Sequence, residues 1–189
     1  TQNLELQKEI GNKLKQTISL HNIGNIYRDK GEYDIALDYY NQCLDIYEEF
    51  DAKKHYCIHT FANIGDIHLQ KGDYEKAKDF LEKSYGILKE VGLVQGDLLC
   101  YVTAQLFLIY KYLGLSYDVD EINKLINKRD FKFYGLTYVI YQLLEDNSYL
   151  ETAYNQVQVT ADNLESNAAA KFLSYPIPKA IGEEWKKVK

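Results

Sequence analysis

His55 and His59 stand four residues apart with Cys57 between them. On a helix the two imidazoles share one face and are spaced to hold a transition metal. Cys57 falls on a different face, and no carboxylate at helical spacing completes a ligand set. Surface and groove histidines are the plainer account. The acidic pairs Glu48-Glu49 and Glu183-Glu184 read as solvated helix faces rather than as paired catalytic carboxylates. The cysteines Cys43, Cys57 and Cys100 are odd in number and fall at no metal or redox spacing, which favours free thiols in a cytoplasmic protein. There is no phosphate-binding glycine loop, no Gly-x-Ser-x-Gly and no His-Glu-x-x-His. The sequence carries no catalytic motif, and it implies neither a metal nor a cofactor.

Side-chain amides offer a different chemistry. Asn22 stands in Asn22-Ile23-Gly24, and the same triplet returns 41 positions later as Asn63-Ile64-Gly65. The two copies also share Ile26 with Ile67, Lys30 with Lys71, Gly31 with Gly72, Tyr33 with Tyr74, and Ala36 with Ala77. Recurrence at a fixed period marks a repeat protein. Gly24 and Gly65 fall inside predicted helices, where glycine costs about 1 kcal/mol relative to alanine. That cost is explained if a neighbouring helix crosses too closely for a Cβ, with the small Ala36 and Ala77 opposite. Gly31 and Gly72 each follow a lysine, as expected of left-handed helix C-caps beside a favourable cation.

Apolar spacing then sets the elements. The first copy is expected to form a leading helix over 12–30, with Leu14, Ile18, Ile23, Ile26 and Tyr27 on its packed side. A second helix over 33–50 carries Ala36, Leu37, Tyr40, Leu44 and Tyr47 inward. The second copy repeats this over 53–71 and 74–91. A degenerate third copy spans 95–113, with Phe107 in the Gly24 position and Gly114 at the turn, then a short helix over 117–128 that puts Asn123 where Tyr40 stands. A fourth runs over 131–145 and 149–165, with Leu136, Val139, Ile140, Leu143, Leu150, Ala153, Val157 and Leu164 inward. Beyond Asn167 a short helix is expected, then an extended Tyr175-Pro176-Ile177-Pro178, then a polar helix over 179–189. The corresponding division is 1–9 tail of a preceding truncated repeat, 10–51 and 52–92 clear repeats, 93–130 and 131–167 degenerate repeats, and 168–189 a terminal cap or linker.

This pattern resembles the tetratricopeptide repeat: apolar-Gly-x-x-Tyr on a first helix, a Gly-x-Tyr turn, and a second helix opening on Ala. The period of 41 exceeds the standard of about 34, and the surplus lengthens both helices by about a turn. The long repeats of kinesin light chain and of Rap-type regulators are similar. The resemblance implies an all-α, right-handed α-solenoid of antiparallel helix pairs whose leading helices line a concave groove for a peptide or partner protein. The groove residues it implies are His21, Asn22, Asn25, Arg28, His59, Asn63, Asp66, Tyr101, Gln105, Lys111, Tyr134, Tyr138 and Tyr141. Asn22, Asn63 and Gln105 occupy one equivalent site, where peptide-binding members use asparagine to grip an extended backbone. The other reading of that amide is a hydrogen bond between stacked helices. The lysines and arginine of a carboxylate clamp are replaced by His21, Tyr101 and Gln105, which argues against capture of a chaperone C-terminus. Tyr134, Tyr138 and Tyr141 suit either aromatic anchors of a partner or packing against the terminal cap.

The 189-residue chain has a net charge of −6 and a pI near 5.3, which argues against nucleic acid or an anionic membrane as partner. No apolar run approaches the roughly 20 residues of a membrane span. The opening Leu4-Glu5-Leu6-Gln7-Lys8-Glu9-Ile10 resembles the ends of the second helices around Ile46 and Ile87. The chain is therefore expected to be a fragment whose truncated repeat end offers a bare apolar face for self-association. The function that follows is a non-catalytic interaction scaffold. The alternative is a regulatory segment of a larger signalling protein, controlling a kinase, cyclase or transcription regulator domain elsewhere in the chain.

Overall fold

A computed structural model describes residues 2–49, 57–93, 96–127 and 131–189, with side chains described for all of these but 2–10 and 49. Every regular element among them is an α-helix. The chain divides into two compact units, Thr1–Gly92 and Leu93–Lys189. The first contains α1 (Gln2–Asp29), α2 (Tyr33–Glu49), α3 (Ile58–Gln70) and α4 (Tyr74–Glu90). α1 packs on α2 and α3 on α4, with α3 also against α2 and α1. α1 starts before the expected residue 12, so residues 2–9 continue the leading helix.

Each pair turns on the same hydrogen bonds. After α1, Gly31 at φ 81° donates to the Arg28 carbonyl while the Glu32 amide donates to Tyr27. After α3, Gly72 at φ 76° donates to Leu69 and Asp73 to His68. A left-handed residue that closes both bonds in this way satisfies carbonyls the helix end would otherwise leave open, and glycine adopts it without strain. The equivalence extends into the core. The Cys43 thiol donates to the Thr17 carbonyl at 3.4 Å, and 41 residues on, the Ser84 hydroxyl donates to the Ile58 carbonyl at 3.0 Å.

The mid-helix glycines do mark close crossings, but what they meet differs from expectation. A Cβ on Gly24 would lie 2.6 Å from Cε1 of Tyr40, and one on Gly65 would lie 2.6 Å from Cγ of Leu81. Ala77 contributes only its carbonyl oxygen, at 3.4 Å from the Gly65 position, and Ala36 is not among the near atoms. Tyr40 and Leu81 are themselves equivalent positions, so one large side chain per repeat fills the space that glycine leaves.

The packed side expected for α1 is corrected more sharply. Ile18, Ile23 and Ile26 are 59, 36 and 54 % exposed, whereas Thr17 and Gly24 are buried. The equivalents of Ile23 and Ile26 on α3, Ile64 and Ile67, are 1 and 0 % exposed in a cluster with Ala36 and Tyr40 of α2. The same residue types bury on α3 because a preceding helix pair covers them; among the described residues nothing covers that face of α1.

The second unit contains α5 (Asp97–Leu113), α6 (Val119–Ile126), α7 (Tyr134–Leu144), α8 (Asn147–Asp162), α9 (Ser166–Leu173) and α10 (Pro176–Val188). α5 ends on Gly114 at φ 69°, with the Leu115 amide donating to Tyr110, the same turn as in the clear repeats. Asp118 caps α6 by accepting from the Asp120 and Glu121 amides. On α6 it is Ile122 that is buried, not Asn123, so the expected register is off by one residue. α7 packs on α8, and α10 on α8, around Leu150, Ala153, Val157 and Ile181. Leu164, expected inward, is 41 % exposed. The Tyr175–Pro178 stretch also departs from expectation: only Tyr175 is extended, and Pro176 opens α10. A proline in the first turn gives up only an N–H that has no helical acceptor there.

The glycines of α3 and α4 separate packing from propensity. Nothing lies within 4 Å of a Cβ at Gly86, so Gly86→Ala should raise stability by up to about 1 kcal/mol. Gly65→Ala gains the same propensity yet drives a methyl into Leu81, and should lower stability by about 1–3 kcal/mol. Urea unfolding of the two variants checks both signs.

Candidate functional site

On α1, His21, Asn25 and Arg28 lie at i, i+4 and i+7 and so share a face. That face meets Thr60, Asn63 and Asp66 of α3. Arg28 Nη1 donates to Asn63 Oδ1 at 2.7 Å, and Asn63 Nδ2 donates to Asn25 Oδ1 at 2.8 Å. Asn63 Nδ2 also lies 3.2 Å from His21 Nε2, and Thr60 Oγ1 lies 3.4 Å from His21 Nδ1. From α2, the Tyr40 hydroxyl reaches across to donate to Asn25 Oδ1 at 2.7 Å. Arg28 further donates through Nε and Nη2 to Asp29 Oδ1 at 3.0 and 2.8 Å, and its Nε stands 3.9 Å from Asp66 Oδ2. The result is a continuous polar seam between two leading helices.

The electrostatics of the seam follow from its burial. The His21 imidazole is pushed down to about 4, first by burial and then by His59 and Arg28. Partial burial also lowers His59, a residue exposed overall whose ring lies 6.3 Å from that of His21. Burial likewise holds the Tyr40 phenol protonated well above its ordinary range. Near neutral pH the seam therefore presents neutral imidazoles and one full cation, Arg28, with Asp29 and Asp66 beside it. These groups donate and accept hydrogen bonds.

The three amides expected at one equivalent site occupy three different environments. Asn22 is exposed, Asn63 is 8 % exposed with both amide atoms engaged in the seam, and Gln105 is fully buried on α5. His59 is exposed; His21, Asn25 and Arg28 are half-buried; Asp66 is buried. In the second unit Lys111 is a structural group. It donates to the Gln142 and Leu143 carbonyls at 3.1 Å and to Glu145 at 2.6 Å, closing the C-terminus of α7, where Glu145 sits at φ 58°. Tyr138 is buried and stacked on Tyr141, while Tyr134 packs between Phe133 and Phe172. All three tyrosines lie against the cluster that includes Ile181 of α10. Tyr101 is half-buried, edge-on to Phe133.

Sequence reasoning did not find Tyr40 and Thr60 as members of the seam. Their helical positions show only that they face inward, not that a partner amide stands opposite. A cavity of about 560 Å³ was also not anticipated; it is lined by Leu44, Tyr47, Phe61 and Ile87 with Glu48, Glu82 and Lys83 among its polar groups. Cys57 borders it with a thiol pushed up to about 11 by burial and by Glu48, and burial does the same to Cys43. Neither is a nucleophilic thiolate near neutral pH. The described residues contain no group of three or more His, Cys, Asp or Glu that could hold a metal, and His55 lies outside them. No described helix is long and apolar enough to cross a membrane.

Antiparallel helix pairs, joined by identical glycine turns and stacked through equivalent positions, define a helical-repeat protein. Residues 4–90 match the family model described as Tetratricopeptide repeat, and this segment belongs to that family. Such repeats generally mediate protein–protein interaction. No curated protein matches the chain.

The unequal amides give a direct contrast. Asn63→Ala removes one hydrogen bond each from Asn25 and Arg28 in a half-buried seam and should cost about 1–3 kcal/mol, whereas Asn22→Ala should stay within about 0.5 kcal/mol of the parent; denaturant melts of both variants measure this. The seam also sets a pH dependence. The unfolded chain takes up a proton at His21 below about 6.5, but the folded chain does so only near 4. The contribution is full above 6.5 and is lost as pH falls from there toward 4. Melting temperatures at pH 7 and 5 should therefore differ less in His21→Gln than in the parent.

Proposed function

We propose that this chain is a non-catalytic scaffold that binds an extended peptide or a partner protein along its leading helices, with α1 and α3 as the principal contact face. The seam carries this reading. His21, Asn25 and Arg28 are held at fixed spacing by Asn63 and Tyr40, with His59 exposed at the edge. Side chains already tied in place lose little further freedom when a ligand arrives. Neutral imidazoles offer both a donor and an acceptor, which suits the N–H and C=O groups of an extended backbone. Arg28 shares its charge with Asp29 and Asp66, so the partner that fits is polar and near neutral rather than a free carboxylate end. Asn63 is then a positioning residue behind the contact face, and Asn25 and His59 are contacts.

The reading is tested by titrating a library of fluorescent extended peptides against the whole chain. Binders in the micromolar range are expected. His59→Glu and Asn25→Ala should each weaken the best of them by about tenfold, equivalent to about 1.4 kcal/mol, with helicity by circular dichroism retained. Peptide affinity that is unchanged in both folded variants would sink the proposal.

A further inference from the structure

Lys15, Ile18, Asn22, Ile26 and Asp29 are all exposed on α1. At about 100° per residue they fall within about 80° of one another around the helix, so they form a single narrow stripe. Its apolar members are unusually open, with Ile18 59 % and Ile26 54 % exposed. The stripe is also symmetric in chemistry about its centre. Ile18 and Ile26 each stand four residues from Asn22, and the oppositely charged Lys15 and Asp29 each stand seven.

We propose that two copies of this chain associate through α1, antiparallel about a two-fold axis at Asn22. In that arrangement Ile18 of each copy faces Ile26 of the other, and Lys15 of each faces Asp29 of the other. The two Asn22 amides meet at the axis, where each donates and accepts at once. Charge complementarity selects this orientation, because parallel pairing opposes lysine with lysine and aspartate with aspartate. Asp29 accepts from Arg28 through Oδ1 within its own chain, yet its side chain remains 54 % exposed. A lone amide among apolar contacts fixes register and orientation while it lowers affinity. The centre of the face is of a kind this fold buries: the α3 equivalents of Asn22 and Ile26, Asn63 and Ile67, are both buried, while those of Ile18 and Asp29, His59 and Gln70, are exposed.

The contact runs about 21 Å along the helix and is narrower than a standard interface of about 800 Å² per partner, so the dimer is weak, with a dissociation constant in the micromolar range. This association does not depend on peptide binding along the seam. Sedimentation velocity of the full chain over about 1–500 µM should show the mass rise from one copy to two. Lys15→Glu alone, and Asp29→Lys alone, should each weaken the dimer by about tenfold, and the double exchange should restore it to within about threefold. Ile18→Glu should abolish it while circular dichroism stays unchanged. A chain that remains a monomer to the top of that range overturns the proposal and leaves the stripe to a different protein. A dimer that ignores Ile18→Glu, or that the double exchange does not rescue, overturns it equally.

Discussion

No side chain fits between α1 and Tyr40 at position 24, or between α3 and Leu81 at position 65, because a Cβ at either glycine would stand 2.6 Å from the opposing side chain. That near approach brings Tyr40 close enough to cross α1 and donate to Asn25. Asn25 in turn accepts from Asn63, and Asn63 accepts from Arg28. A steric requirement at one position thus propagates through four hydrogen-bonding side chains into the arrangement of the polar seam. Widening the crossing by the thickness of a methyl group would withdraw the hydroxyl that holds Asn25, and interiors packed to native density transmit such displacements rather than absorb them.

The seam also shows how burial chooses the chemistry of a site. His21 and His59 could be proton carriers in a wetter place. Here burial favours the neutral form of His21 and partial burial that of His59 at the exposed edge, and burial keeps the thiols of Cys43 and Cys57 protonated. Arg28, a guanidinium that stays charged in any protein setting, stands beside Asp29 and within 3.9 Å of Asp66. Buried polar groups are tolerable because each is satisfied by a neighbour. Tied across α1, α2 and α3 by these bonds, the seam holds its donors and acceptors in a set pattern.

Much of the fold was legible because its determinants are local. Gly31, Gly72 and Gly114 announce left-handed turns wherever they stand in the chain, and the 41-residue recurrence ties each turn to a helix pair. The candidate site was less legible. Helical spacing grouped Ile18, Ile23 and Ile26 as an apolar face but could not say whether a helix lies against it. Asn22 and Asn63 read as one site, yet only Asn63 meets another helix and only Asn22 remains open. Asn123 was set in a core position by alignment alone, whereas packing selected its neighbour Ile122. The backbone restriction of two prolines suggests an extended Tyr175–Pro178 segment, yet the same restriction is compatible with a first helical turn, where both prolines stand.

Residue types and their spacing were thus enough for the helices, their turns, their pairing and the membership of residues 4–90 in the tetratricopeptide repeat family. Those are properties of neighbours along the chain and of a period that any copy repeats. Burial is a property of neighbours in space. Identical triplets acquired opposite environments because α3 has a helix pair in front of it and α1, among the described residues, does not. The hydrogen-bond partners of Asn63, the neutrality of His21 and the openness of Asn22, Ile23 and Ile26 all follow from that one difference, which no repeat can encode within itself.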